Sequence, residues 1–217
     1  MDHYVITIAR GFGSGGRQIA ALLADRLGIH SYEHRILALA SQYSGLSSSI
    51  FEETEEKLPD RRFLGRLHGL QKRTAAVPEL EKFTSDDHLY DIESEVILKL
   101  AEEESCIIVG KCADYVLRNH PHTLTVYIDA PREFCRLRIM KRMMVDADRA
   151  DAVIESTDQY RADYYHYYTK GKRWDDPMNY DLTINSGKWG LEKSVDLIEK
   201  ALYIRFPELA QKSQQEQ

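Results

Sequence analysis

The chain has 217 residues, enough for one α/β domain with a smaller mobile subdomain. Its 43% hydrophobic content suffices for a core, and a net charge of −6 argues against a general nucleic-acid binder. No run approaches the roughly 18 apolar residues of a membrane helix, no basic segment precedes the first apolar run, and Cys106, Cys112 and Cys135 lack metal spacing. A cytoplasmic protein with reduced thiols and no membrane or nucleic-acid partner is the expectation. Composition leaves the oligomeric state open.

An apolar run at residues 4–9 predicts a buried strand, followed by four glycines in six positions: Gly11, Gly13, Gly15 and Gly16. A helical pattern over 17–27 ends at Gly28, a natural C-cap. Residues 29–32 predict a second strand, and a helix follows near 35–43. Residues 46–90 are polar, contain Pro59 and Pro78, and predict a helical insert. A long helix is expected at 89–104 and a buried strand at 106–110. Residues 124–129 predict another strand, after which Pro131 opens a helix reaching about 144. A helix over 150–168, a strand at 180–185 and a helix at 191–204 complete the pattern, and a polar tail follows Pro207. Strands separated by helices imply an α/β fold with a parallel sheet covered on both faces.

Strand, glycine turn, helix is how a chain presents backbone N–H groups to phosphate, with the helix N-terminus adding partial positive charge. Two motifs overlap there. Gly11-x-Gly13-x-x-Gly16 fits the dinucleotide fingerprint, and Glu33 lies about 20 residues on, where that fold wants its ribose-binding acid. Gly11-x-x-x-x-Gly16-Arg17-Gln18 fits a P-loop with Arg for Lys and Gln for Ser/Thr. At the loop's end the Arg17 guanidinium can span phosphate oxygens, where lysine acts as a point charge.

Four segments together resemble the cytidylate kinase-like family of P-loop nucleoside monophosphate kinases. They are Ile6-Thr-Ile-Ala-Arg-Gly-Phe-Gly-Ser-Gly-Gly-Arg17, Ile108-Val-Gly-Lys-Cys-Ala-Asp-Tyr115, Asp158-Gln-Tyr-Arg-Ala-Asp-Tyr-Tyr165 and Tyr180-Asp-Leu-Thr-Ile-Asn-Ser186. The resemblance implies a three-layer P-loop kinase fold with a five-stranded parallel sheet. Residues 1–45 and 91–205 would form the core, 46–90 an acceptor-binding insert, about 143–149 a mobile lid, and 207–217 a tail. It also implies ATP as donor, with Mg²⁺, and a small phosphate acceptor, a nucleoside monophosphate such as CMP by default.

Phosphoryl transfer needs in-line positioning and positive charge more than covalent chemistry. The donor candidates are Gly11, Gly13, Ser14, Gly15, Gly16, Arg17 and Gln18. Arg132, Arg136, Arg138, Lys141 and Arg142 form a basic cluster, in which Arg138 and Arg142 share a helix face. By resemblance, Arg138, Arg142 and Arg161 close over the donor phosphates, with Arg149 beside the lid. Glu33 would orient the acceptor or a metal-bound water, Arg35 would hold acceptor phosphate, and Lys111 and Asp114 would contact and steer it. Gln18 is a weak magnesium ligand, so no protein-built metal site is expected; the nucleotide's phosphates and water would hold most of the ion.

Two other functions compete. The departures at Arg17 and Gln18 fit a nucleotide-binding protein with little or no kinase activity. The dinucleotide fingerprint fits an NAD(P)-dependent oxidoreductase, and Tyr168-x-x-x-Lys172 mimics a dehydrogenase dyad. Gly171 between the two side chains argues against the helix that dyad needs. The tyrosines at 160, 164, 165, 167 and 168 are expected to be packing.

Overall fold

The computed structural model describes residues 3–33, 36, 39–40 and 86–209. Arg35, residues 46–85 of the predicted insert, most of the predicted 35–43 helix and the tail beyond 209 lie outside the described residues. Strands β1 (Val5–Arg10), β2 (His30–Tyr32), β3 (Cys106–Val109), β4 (Thr123–Asp129) and β5 (Leu182–Asn185) form one sheet in the order β2-β3-β1-β4-β5. Every pairing is parallel; Ile6 stands beside Ile107 on one side and Leu124 on the other.

Both faces of this sheet are covered, so its central strands read as unbroken apolar runs. Alternate residues serve opposite faces. On β3, Ile107 and Val109 join Ile6, Ile8, Ile19 and Leu23 beneath α1 (Gly16–Leu27) and the last helix. Cys106 and Ile108 join Leu89, Val96, Ile97 and Leu117 on the other face. Each fully buried Ile or Leu contributes about 1.5–3 kcal/mol. The other helices are α2 (Asp86–Glu103), α3 (Ala113–Val116), α4 (Arg132–Met143), α5 (Ala147–Tyr168) and α6 (Ser186–Arg205).

Several boundaries differ from the sequence pattern, and caps explain two of them. The Asp146 carboxylate accepts the Arg149 N–H at 2.8 Å, so α5 starts at Ala147 and the turn after α4 is shorter than the predicted 143–149. Asn185 caps α6 in the same way, accepting from the Lys188 N–H at 3.2 Å. That helix therefore begins five residues before the predicted one, with a break in its geometry at Gly190. α2 begins at Asp86, and Leu89 is already in the core, so the end of the predicted insert belongs to a core helix. The short α3 was not predicted.

The strand order does not fit an oxidoreductase of the dinucleotide-binding type. That fold sets β2 beside β1. Here β3 takes that place, and β2 is an edge strand. The apparent Tyr168–Lys172 dyad also fails: Tyr168 ends α5, and Gly171 follows with φ +104°. Among the described residues, no helix is long and apolar enough to cross a membrane.

Candidate active site

β1 is the central strand, and its C-terminal end delivers the chain into the glycine loop. The Gly11 N–H donates to the Ile128 carbonyl at 2.9 Å, and the Ser14 N–H turns back to the Gly11 carbonyl at 3.2 Å. Gly15 caps α1 in the left-handed region, φ +89°. A Cβ there would also lie 2.8 Å from Leu191 and 3.1 Å from an Arg138 guanidinium nitrogen. A Cβ on Gly11 would strike the Asp129 carboxylate at 2.3 Å. From below, the Ser186 hydroxyl lies 2.6 Å from the Ser14 carbonyl and 3.1 Å from that of Asp129. The loop is thus packed from beneath and opens upward at a helix N-terminus.

Above it lies a cleft of about 630 Å³. Six cations line it: Arg10, Arg17, Arg138, Lys141, Arg142 and Arg161, against one carboxylate, Glu33. Arg17, half exposed, pairs with Glu33, and Arg10 reaches the same carboxylate at 2.9 Å. Arg138 donates to the Gln18 amide oxygen and lies 5.5 Å from the Phe134 ring centre. Arg142 and Arg161 stand over the Phe12 ring at 4.9 and 5.5 Å. Each such contact is worth about 0.5–1 kcal/mol at an exposed site.

Sequence reasoning missed Arg10. The signal was available: a charged residue ending a buried strand, one position before the glycines. It also treated the α4 cations as one cluster, and the structure divides them by helix face. Arg132 and Arg136 bind Asp151 on α5 at 2.8 and 3.2 Å, pinning the two helices together. Arg138, Lys141 and Arg142 turn to the cleft. Arg149 is exposed on the first turn of α5 and does not line the cleft.

The remaining predicted residues sit elsewhere. Ser14 is fully buried, and its hydroxyl accepts the Gly16 N–H at 3.3 Å, so it braces the loop instead of facing phosphate. Lys111 and Asp114 share a separate pocket of about 60 Å³ at the end of β3, which Arg10 and Arg161 also line. Lys111 pairs there with buried Glu93 at 3.3 Å. The Tyr165 hydroxyl donates to Asp114 at 2.7 Å. Burial raises the Asp114 pKa above the usual carboxyl value, and the Tyr165 bond partly opposes it. The tyrosine-rich face packs α5 on α2, with Tyr90 and Tyr168 stacked at 3.9 Å.

The donor set suits a nucleotide's phosphates: a glycine-built turn, a helix N-terminus and an excess of guanidiniums. It does not suit a magnesium ion held by protein. Among the described residues no three His, Cys, Asp or Glu side chains group as metal ligands, Gln18 is bound to Arg138, and Glu33 is bound to two arginines.

A five-stranded parallel sheet with a glycine loop leaving its central strand defines the class: this is the fold of the P-loop kinases. The chain belongs to the cytidylate kinase-like family, whose model matches residues 5–188. Among solved structures it is similar to an uncharacterized protein from Eubacterium ventriosum, with TM-score 0.67 and 24% identity over 92% of this chain and 98% of the other. It is also similar to TT1252 from Thermus thermophilus, with TM-score 0.52 and 16% identity over 95% and 99%. A more distant likeness is shikimate kinase from Bacteroides thetaiotaomicron, with TM-score 0.48 and 16% identity over 92% and 98%. No curated protein matches the chain.

Proposed function

We propose that this protein transfers the terminal phosphoryl group of ATP to a small acceptor, a nucleoside monophosphate such as CMP. The observation that carries the reading is the cleft, where six cations and one carboxylate surround a glycine loop at a helix N-terminus. That is the charge balance phosphoryl transfer requires, because its transition state spreads negative charge over several oxygens.

In this reading the loop's N–H groups and Arg17 take the donor's β-phosphate. Arg138, Arg142 and Arg161 face the transferring oxygens. Glu33 stands at the acceptor edge, and Lys111 and Asp114 orient the acceptor. Donor binding would exchange partners that the structure already holds: Arg17 gives up Glu33, and Arg138 gives up Gln18. A guanidinium is suited to such an exchange, since its planar fork donates to two phosphate oxygens as readily as to a carboxylate. Magnesium would arrive on the nucleotide with most of its water.

The test is ADP release with saturating ATP and Mg²⁺ across the nucleoside monophosphates, CMP and dCMP first. Turnover is expected at or below the low end of the usual range of about 1–100 per second. One observation favours a second reading, nucleotide binding without transfer: Gln18 replaces the usual hydroxyl and is bound to Arg138. ATP that protects against thermal unfolding, with no ADP release for any acceptor, would select that reading. Protection at 100 times Kd amounts to about 2.7 kcal/mol.

A further inference from the structure

The glycine loop is gripped from the side by α5, a helix about 150 residues away in sequence. The Phe12 N–H donates to the Asp158 carboxylate at 2.8 Å. Two residues earlier, the Arg10 carbonyl accepts from the Arg161 guanidinium at 2.9 Å. Asp158 and Arg161 are one helical turn apart and lie 3.4 Å from each other. Together they hold the backbone on both sides of Gly11, where β1 becomes the loop. The Phe12 ring then lies beneath Arg142 and Arg161.

We infer that Asp158 is a positioning residue: through the Phe12 N–H and Arg161 it fixes the entrance of the glycine loop and couples the loop to α5. The inference rests on the loop being the donor site. Asp158 itself does not line the cleft. It acts through the backbone it holds and through the guanidinium it orients. Both contacts need its acceptor oxygens, and the ion pair also needs its charge.

The surroundings make that charge titratable. Burial, together with Asp129 on β4, raises the Asp158 pKa to about 6, while Arg161 on α5, the Phe12 N–H and Arg132 on α4 oppose the rise. The Cys135 thiol on α4 and the Tyr127 hydroxyl on β4 also feel this carboxylate, and both are neutral near pH 6. The grip on the loop should therefore loosen as pH falls through about 6.

The experiment compares wild type, Asp158→Ala and Asp158→Asn. Amide hydrogen exchange at Phe12 is measured without nucleotide, and ATP affinity is measured separately at pH 7.5. Asp158→Ala should speed Phe12 exchange and weaken ATP binding, each about tenfold. Asp158→Asn keeps an acceptor oxygen for the Phe12 N–H and should recover most of the exchange protection. In wild type the Phe12 amide resonance should titrate with a midpoint near 6. In Asp158→Asn that titration should vanish.

Phe12 exchange and ATP affinity unchanged in Asp158→Ala would overturn the inference. So would faster exchange throughout β1 and β3 in both variants, since the residue would then be merely structural. Wild type that fails to bind ATP would defeat the donor-site reading separately, because the exchange measurement uses no nucleotide.

Discussion

The cleft over the glycine loop and the pocket at the end of β3 lie side by side and share Arg10 and Arg161, yet they differ in size and in the number of cations they gather. In the cleft, six cations meet one carboxylate. The two charges that line the pocket and not the cleft each have a close polar partner: Lys111 has Glu93, and Asp114 has the Tyr165 hydroxyl. The cleft exceeds the pocket tenfold in volume, about 630 Å³ against about 60 Å³. On the proposed function, the larger gathering of cations in the cleft is where a multiply charged anion would bind.

Four measurements would break or sharpen this contrast. The largest effect is expected from Arg161→Ala, which removes a cation shared by both spaces. A transition-state arginine is worth about 10³-fold or more in turnover, and a loss of that size should appear in ADP release with the helical signal retained. A tenfold loss or less would place Arg161 with the structural arginines, beside Arg132 and Arg136.

Next comes the pair Arg17→Ala and Lys111→Ala. Losing a charge-assisted bond to phosphate should weaken ATP binding about 30-fold in the first. The second should change it by less than about threefold, since Lys111 is not part of the cleft. Calorimetry gives both numbers, and equal losses would erase the division between the two spaces.

Tyr165→Phe probes the pocket alone. It leaves the buried Asp114 carboxyl without its hydroxyl donor and should cost about 1–3 kcal/mol in chemical denaturation. ATP affinity should stay at the wild-type value.

The last effect is a pH dependence. The Asp158 carboxyl titrates near 6 in the folded chain instead of 3.8. The folded state therefore binds the extra proton between those values, and stability falls as pH rises through that window. Asp158→Asn removes this slope, so its melting temperature relative to wild type should increase from pH 4.5 to pH 7. A constant difference across that range would show that the carboxyl is not held in the environment described.

Much of the sheet was legible because buried parallel strands leave a simple trace: runs such as Cys106-Ile-Ile-Val109 have few other uses. The glycine loop was legible because so few residues tolerate its backbone. Strand order was not, since nothing local in β2 shows that it pairs with β3 and not β1. Site residues divide the same way. Arg138 and Arg142 could be matched by helical spacing, whereas Asp151, which claims Arg132 and Arg136, lies on another helix. Arg10 was hidden by position, because a strand's last residue is ordinarily read as its exit to solvent. The contact between Phe12 and Asp158 spans 146 residues and leaves no periodic signal. The caps at Asp146 and Asn185 were readable by residue type and would have corrected two helix starts.

The cationic mouth also has a kinetic consequence, because it sits on an acidic molecule. The chain as a whole carries −6, so the residues outside the cleft sum to a more negative charge still. A cleft lined mostly by one sign of charge focuses field lines and draws small anions toward its opening. Capture of a nucleotide should accordingly be fast in dilute buffer and slow steeply as salt shortens the reach of that field, about 10 Å at 0.1 M.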